Sequence, residues 1–121
     1  MKLYRREDYL QKIRGFYHDT GIIKVITGVR RCGKSCLMET ISLELKEKGV
    51  RDENIIYLNL DKRGFRKIKT ADQLDALIEE RSAAEGTKYL FIDEIQNVND
   101  FEEVINGYRE EQEYPIFITG S

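Results

Sequence analysis

Four short apolar runs, "IIKVIT" (22–27), "NIIYLNL" (54–60), "KYLFID" (88–93) and "IFIT" (116–119), alternate with stretches whose apolar residues recur at helical spacing. Runs this short and rich in branched residues read as strands. Strands alternating with helices build βαβ units around a parallel sheet, whose strands are covered on both faces. Between the runs, Leu37, Met38, Ile41 and Leu45 form one helical stripe, with Gly49 as its stop. Leu74, Leu77 and Ile78 follow a Thr70–Gln73 capping-box spacing, in a helix that ends before Gly86. Phe101, Val104, Ile105 and Tyr108 follow the same spacing at Asn99 and Glu102. Ahead of the first strand, Tyr9, Leu10, Ile13, Phe16 and Tyr17 predict an amphipathic helix over 5–17, closed by turn signals in "HDTG". The expected fold is α/β, a three-layer αβα arrangement about a parallel sheet. Residues 1–121 are expected to form a single core, with 1–21 as its N-terminal helix and lead-in.

A chain of 121 residues can bury one core, not two. Its formal charge of −2 supplies no net basic field for nucleic acid or an anionic membrane. One local basic patch, "DKRGFRKIK" (61–69), reads as a solvated loop. No apolar run approaches the ~20 residues needed to span a bilayer. The start "MKLYRREDYL" lacks the uninterrupted apolar stretch of a secretory signal. Two cysteines, Cys32 and Cys36, make no disulfide framework, and a reducing cytoplasm is the expected setting. The single His18 has no His or Cys cluster in its neighbourhood and reads as a surface or cap residue.

In a parallel α/β sheet, ligands bind at the carboxyl ends of the strands. Three polar signals converge there. "GVRRCGKS" (28–35) satisfies G-x-x-x-x-G-K-[ST], between a strand and a helix as that motif requires. Gly28 and Gly33 permit a backbone approach that a side chain would block. The N–H groups of Val29, Arg30, Arg31 and Cys32, through to Cys36, then form an anion nest that the positive end of the helix reinforces. Lys34 can reach the β- and γ-phosphates of a nucleotide, and the Ser35 hydroxyl supplies one Mg²⁺ position. The side chains of Arg30 and Arg31 either screen phosphate charge, face a partner or are merely solvated. Cys32 and Cys36 read as small fillers, with a redox switch at the helix N-terminus as the alternative.

"YLFIDE" is the second signal: a buried strand delivers Asp93 to the Mg²⁺ site. Glu94 beside it can orient and deprotonate the water that attacks the γ-phosphate. The third signal is "ITGS", where Thr119 or Ser121 can bond the γ-phosphate or the attacking water, or simply turn the chain. Gln96 is either a relay of nucleotide state or a surface residue, and Asp61 lies near the edge of the site in an ordinary loop role.

"KVITGVRRCGKS", "IIYLNLD", "LFIDEIQNV" and "IFITGS", in this order, resemble the AAA-superfamily P-loop ATPases of bacteria and archaea. More narrowly, they are similar to those whose AAA domain precedes a C-terminal domain of unknown function. The resemblance runs from about Arg5 to Ser121 and implies ATP and Mg²⁺ as ligands. By it, Lys34 and Ser35 serve phosphate and metal, Asp93 supports the metal, Glu94 is the base and Thr119 is the sensor-like position. It also implies a sheet in which strand one adjoins strand four and strand four adjoins strand three. The family continues past "ITGS" with another strand, a helical part bearing arginine sensors and a second domain. On that comparison the chain reads as the N-terminal part of a longer ATPase, truncated after its fourth strand, with nucleotide binding expected and efficient turnover not. Self-association or a protein partner is expected, nucleic acid has no support from net charge, and a membrane is not expected. The rivals are a nucleotide-binding switch without turnover and a P-loop kinase.

Overall fold

The computed structural model describes residues 10–26 and 32–120, the latter without the side chains of 32–36. Four strands, β1 (Ile23–Ile26), β2 (Ile55–Asn59), β3 (Tyr89–Asp93) and β4 (Ile116–Thr119), form one parallel sheet in the order β1-β4-β3-β2. This order has β1 beside β4 and β4 beside β3, as the resemblance implied. Residues 10–14 are helical (α1), followed by α2 (Cys32–Glu47), α3 (Ala71–Glu80) and α4 (Phe101–Glu111).

The helices cover both faces of the sheet. Leu90 and Ile92 of β3, with Ile56, Leu58, Ile116 and Ile118, share one core cluster with Leu74 and Ile78 of α3 and Ile105 and Tyr108 of α4. Phe91, Phe117 and Ile26 point the other way, into a cluster with Met38, Ile41 and Leu45 of α2 and with Leu10, Ile13 and Tyr17. Every residue of β3 and β4 is buried, which is why those runs carry no polar alternation. The three-layer arrangement is therefore that expected from the sequence.

On the α2 face one row of the sheet is aromatic. Tyr57 pairs with Phe91 and Phe91 with Phe117 in register, and their rings stack at 5.5 Å and 4.6 Å between centroids. Each such contact contributes roughly 0.5–1.5 kcal/mol beyond burial. Lys24, opposite Phe117 on β1, ends the row with its ammonium 4.7 Å from the ring centroid. That ammonium is buried, donates to the carbonyl of Asp19, and has its pKa lowered to about 8 by desolvation.

Three local expectations are corrected. The first helix ends at residue 14, not 17: Gly15 disfavours continuation, and the N–H groups of Phe16 and Tyr17 donate to the carbonyls of Ile13 and Arg14 in a tighter, three-residue pattern. The turn carries Phe16 out of the expected apolar face, leaving it 45% exposed, while Leu10, Ile13 and Tyr17 are buried; Tyr9 lies outside the described residues. Asn99 is not the cap of α4. That position is Asp100, in the left-handed region and with no side-chain capping bond, while the Asn99 N–H is committed to the carbonyl of Lys69. By contrast Thr70 and Gln73 do form the expected capping box, and Gly49, at φ +103°, closes α2 through bonds from Gly49 and Val50 to Lys46 and Leu45.

One long-range polar tie holds α1 to α2. Arg14 grips the Glu44 carboxylate with both Nε (3.1 Å) and an NH2 group (2.7 Å), and the Tyr17 hydroxyl donates to the same carboxylate at 2.8 Å. The Arg14 bond leads in holding the Glu44 pKa below its ordinary value, and burial leads in pushing the Tyr17 hydroxyl up.

Candidate functional site

Parallel register brings the carboxyl ends of all four strands to one edge. Ile26 lies opposite Thr119, Ile92 opposite Ile118 and Asn59 opposite Asp93. The chain leaves β1 at this edge after Ile26 and is helical again from Cys32. Gly28, Val29, Arg30 and Arg31 lie outside the described residues. Cys32, Gly33, Lys34, Ser35 and Cys36 form the opening of α2, and their side chains likewise lie outside. Ser121 lies outside as well.

The described part of the site is built around one hydroxyl. Thr119, fully buried at the end of β4, donates from Oγ1 to Oδ1 of Asp93, itself only 1% exposed. The same oxygen accepts the backbone N–H of Glu94 at 3.0 Å. A strand-end threonine thereby fixes both members of the acidic pair, one through its side chain and the other through its backbone. The structure thus brings Thr119 of "ITGS" into contact with the acidic pair.

Glu94 is half-buried and sits in the left-handed region, with φ 61° and ψ 51°. A non-glycine residue there costs of order 1–3 kcal/mol, a strain that concentrates at functional sites. The conformation turns the chain off β3 into the 3₁₀ turn Ile95–Asn97. Gln96 then reaches back, its Nε2 donating to Oε1 of Glu94 at 2.7 Å. A Cβ added at Gly120 would stand 3.0 Å from Oε1 of Gln96, so the glycine after Thr119 leaves room for that amide. Sequence reasoning had Gln96 as a relay or a surface residue. It is exposed, and its contact with Glu94 is new; the signal for it was an amide two positions beyond the acidic pair.

Asn97 extends the arrangement toward β2. Its Nδ2 donates to Oδ1 of Asp61 at 2.9 Å, while the Asp61 N–H donates to Oδ1 of Asn59. Asp61 therefore holds the loop after β2 against the segment that follows Glu94. His18 lies elsewhere: it is exposed, as expected, but its Nδ1 is 2.5 Å from the hydroxyl of Tyr89 at the opposite end of β3.

Among the described residues no group of three or more His, Cys, Asp or Glu side chains is placed to hold a metal. The donor set at the edge is nonetheless of the right chemistry for Mg²⁺. That ion takes one or two hard oxygen ligands from protein and completes its shell with water and phosphate oxygens, and the Asp93 carboxylate offers oxygen of that kind. Ser35 is the second residue expected to serve it. Among the described residues no helix is long and apolar enough to cross a membrane.

Residues 20–121 match the family model for an AAA domain. The chain belongs to the AAA domain family. This AAA domain is 41% identical over 117 residues to an uncharacterised protein of Haemophilus influenzae, a match that covers 96% of the chain and 29% of that protein. It is 34% identical over 99 residues to an uncharacterised protein of Methanocaldococcus jannaschii, covering 82% of the chain and 21% of that protein. The chain thus spans under a third of either relative's length. No solved structure gives a significant match.

Proposed function

We propose that this AAA domain binds ATP with Mg²⁺ at the carboxyl edge of its sheet and that, within a longer protein, it hydrolyses the nucleotide to drive a conformational change. The observation that carries the reading is the Asp93–Thr119–Glu94 cluster, at the edge where "GVRRCGKS" joins β1 to α2. In this reading Lys34 binds the β- and γ-phosphates, Ser35 and Asp93 hold Mg²⁺, and the metal neutralises charge on the transferring phosphoryl group. Glu94 takes the proton of the attacking water, and Thr119 keeps Asp93 and the Glu94 backbone in place for that step. Residues 1–121 are taken as a single AAA-like core, with a second copy or a protein partner supplying any arginine that completes the site.

Binding without turnover is a second reading, and one contact favours it. The Gln96 amide donates to Oε1 of Glu94, so one oxygen of the base is engaged in this conformation. Calorimetric titration with Mg·ATP separates the outcomes. Binding by the unaltered chain that is lost in Lys34→Ala supports the phosphate loop, and equal binding by both sinks it. In the longer protein, Glu94→Gln is expected to retain binding and lose phosphate release; normal release would remove Glu94 as the base.

A further inference from the structure

The loop between β2 and α3 concentrates positive charge in a chain whose net charge is −2. Arg63, Arg66, Lys67 and Lys69 are all exposed. Lys62 stands at their rim, beside a cavity it shares with Glu39 and Asp52. No acidic residue occurs between Asp61 and Asp72. Among the described residues the ion pairs are Arg14–Glu44, Lys46–Asp52, Arg51–Glu53 and Lys88–Glu113, so none of the loop's cations is neutralised by a carboxylate. Arg81 adds a further exposed cation, its guanidinium 5.3 Å from the ring centroid of Phe65.

The loop is held in shape rather than merely solvated. Phe65 and Ile68 pack against the core from within it. Its two ends are hydrogen-bonded to the segment following Glu94, Asp61 to Asn97 and the Lys69 carbonyl to the N–H of Asn99. Arg66 Nε donates to the Asp61 carbonyl and braces the turn. Both apolar residues are partly buried and pack against the core, so the outer surface offers mainly charge. Protein interfaces are built the other way, around buried aromatic anchors and with lysine depleted. An array of lysine and arginine with little apolar surface beside it suits a ligand that presents repeated phosphates.

We propose that the 62–69 loop is a contact surface for the phosphate backbone of nucleic acid. The contact is one of charge, without base reading, and lies on the same edge of the sheet as Asp93 and Glu94. The proposal does not depend on the nucleotide reading of that edge, and its test contains no ATP.

The test is fluorescence anisotropy of a labelled mixed-sequence oligonucleotide of about 20 nucleotides, single-stranded and duplex, titrated with the 121-residue chain from about 50 to about 200 mM salt. The triple substitution Arg63→Gln, Lys67→Gln, Lys69→Gln is expected to weaken binding at least about tenfold at the lower salt. It should also flatten the slope of log K against log salt by about 2–3, three phosphate contacts each contributing about 0.7–0.9. Thermal melting followed by circular dichroism checks that the triple variant folds. If it does not, Arg63→Gln and Lys67→Gln singly must each flatten the slope by about 0.7–0.9. The proposal is overturned if the unaltered chain binds neither oligonucleotide at about 50 mM salt. It is equally overturned if the substitutions leave affinity and slope unchanged, or if polyglutamate competes as well as the oligonucleotide, which would mark an acidic protein as the partner.

Discussion

The hydroxyl of Thr119 donates to the buried carboxylate of Asp93, joining the carboxyl ends of the two central strands. The same oxygen accepts from the N–H of Glu94, so removing it takes one hydrogen-bond partner from each of two polar groups. Thr119→Val keeps the shape and deletes the hydroxyl, and is expected to cost about 2–4 kcal/mol in urea unfolding. Thr119→Ser should stay within about 1 kcal/mol of the unaltered protein. Equal stability of the valine and serine variants would show that the hydroxyl does not bind both groups.

Lys24 gives the protein a stability that rises toward alkaline pH. Its pKa is about 8 in the fold against 10.5 unfolded, so folding releases a proton between those values. Stability is then lowest below about 8, climbs as the pH passes from 8 to 10.5, and levels beyond. Lys24→Met, which keeps the apolar stem against Phe117, is expected to stabilise the protein at neutral pH by about 1–2 kcal/mol. It should also remove the alkaline rise. Denaturant titrations at neutral pH and at pH 10 distinguish the two; a destabilised methionine variant would mean that the ammonium contact with Phe117 outweighs desolvation.

The Arg14–Glu44 pair acts at the other end of the pH scale. Because the Glu44 pKa is lowered in the fold, its contribution is complete above the ordinary glutamate value and is lost as pH falls through the lowered one. Glu44→Gln should make the acid-side decline shallower. A double-mutant cycle with Arg14→Ala is expected to give a coupling of about 1–2 kcal/mol at neutral pH, reflecting a two-point contact that is partly shielded. No coupling would reduce the contact to an incidental surface pair.

Gln112 caps α4 at φ 60° and is exposed. Glycine takes that conformation without the Cβ penalty, so Gln112→Gly is expected to raise stability by about 0.5–1 kcal/mol. A lower melting temperature in the variant would count against strain at this cap. Glu94, in the same left-handed region, is the instructive contrast: there the side chain is held by the Gln96 amide.

The strands were legible because burial on both faces leaves an unbroken apolar run, and "YLFID" is such a run. Their edges were less so. Residue 54 belongs to a 3₁₀ turn, and Leu60 has left the strand although its N–H still bonds Asp93. The Thr70–Gln73 cap was legible because its bonds lie within one turn of helix. The Asn99–Glu102 spacing looked the same but misled, because the Asn99 N–H was claimed by Lys69, thirty residues earlier in the chain. Long-range partners of this kind explain most of what was missed. Nothing near Glu44 in sequence announces Arg14, and Thr119 bonds a carboxylate on a different strand. The acidic pair could be read from its motif, whereas the grip of Gln96 on Glu94 depends on a backbone turn that no periodicity encodes.

The order β1-β4-β3-β2 also has a consequence for how the domain assembles. Among the described residues, the strand partner of β1 is β4, with Ile23 opposite Ile116 and Ile26 opposite Thr119. The first strand made therefore waits for the last of the four before it can enter the sheet, and the β2–β3 pair can form before either. On a ribosome, β1 has no strand partner until residues 116–119 have emerged. Contacts this distant in sequence form slowly. The β1–β4 seam is thus the last part of the sheet to be put together, and the proposed nucleotide, bound at its carboxyl edge, would report that synthesis has passed β4.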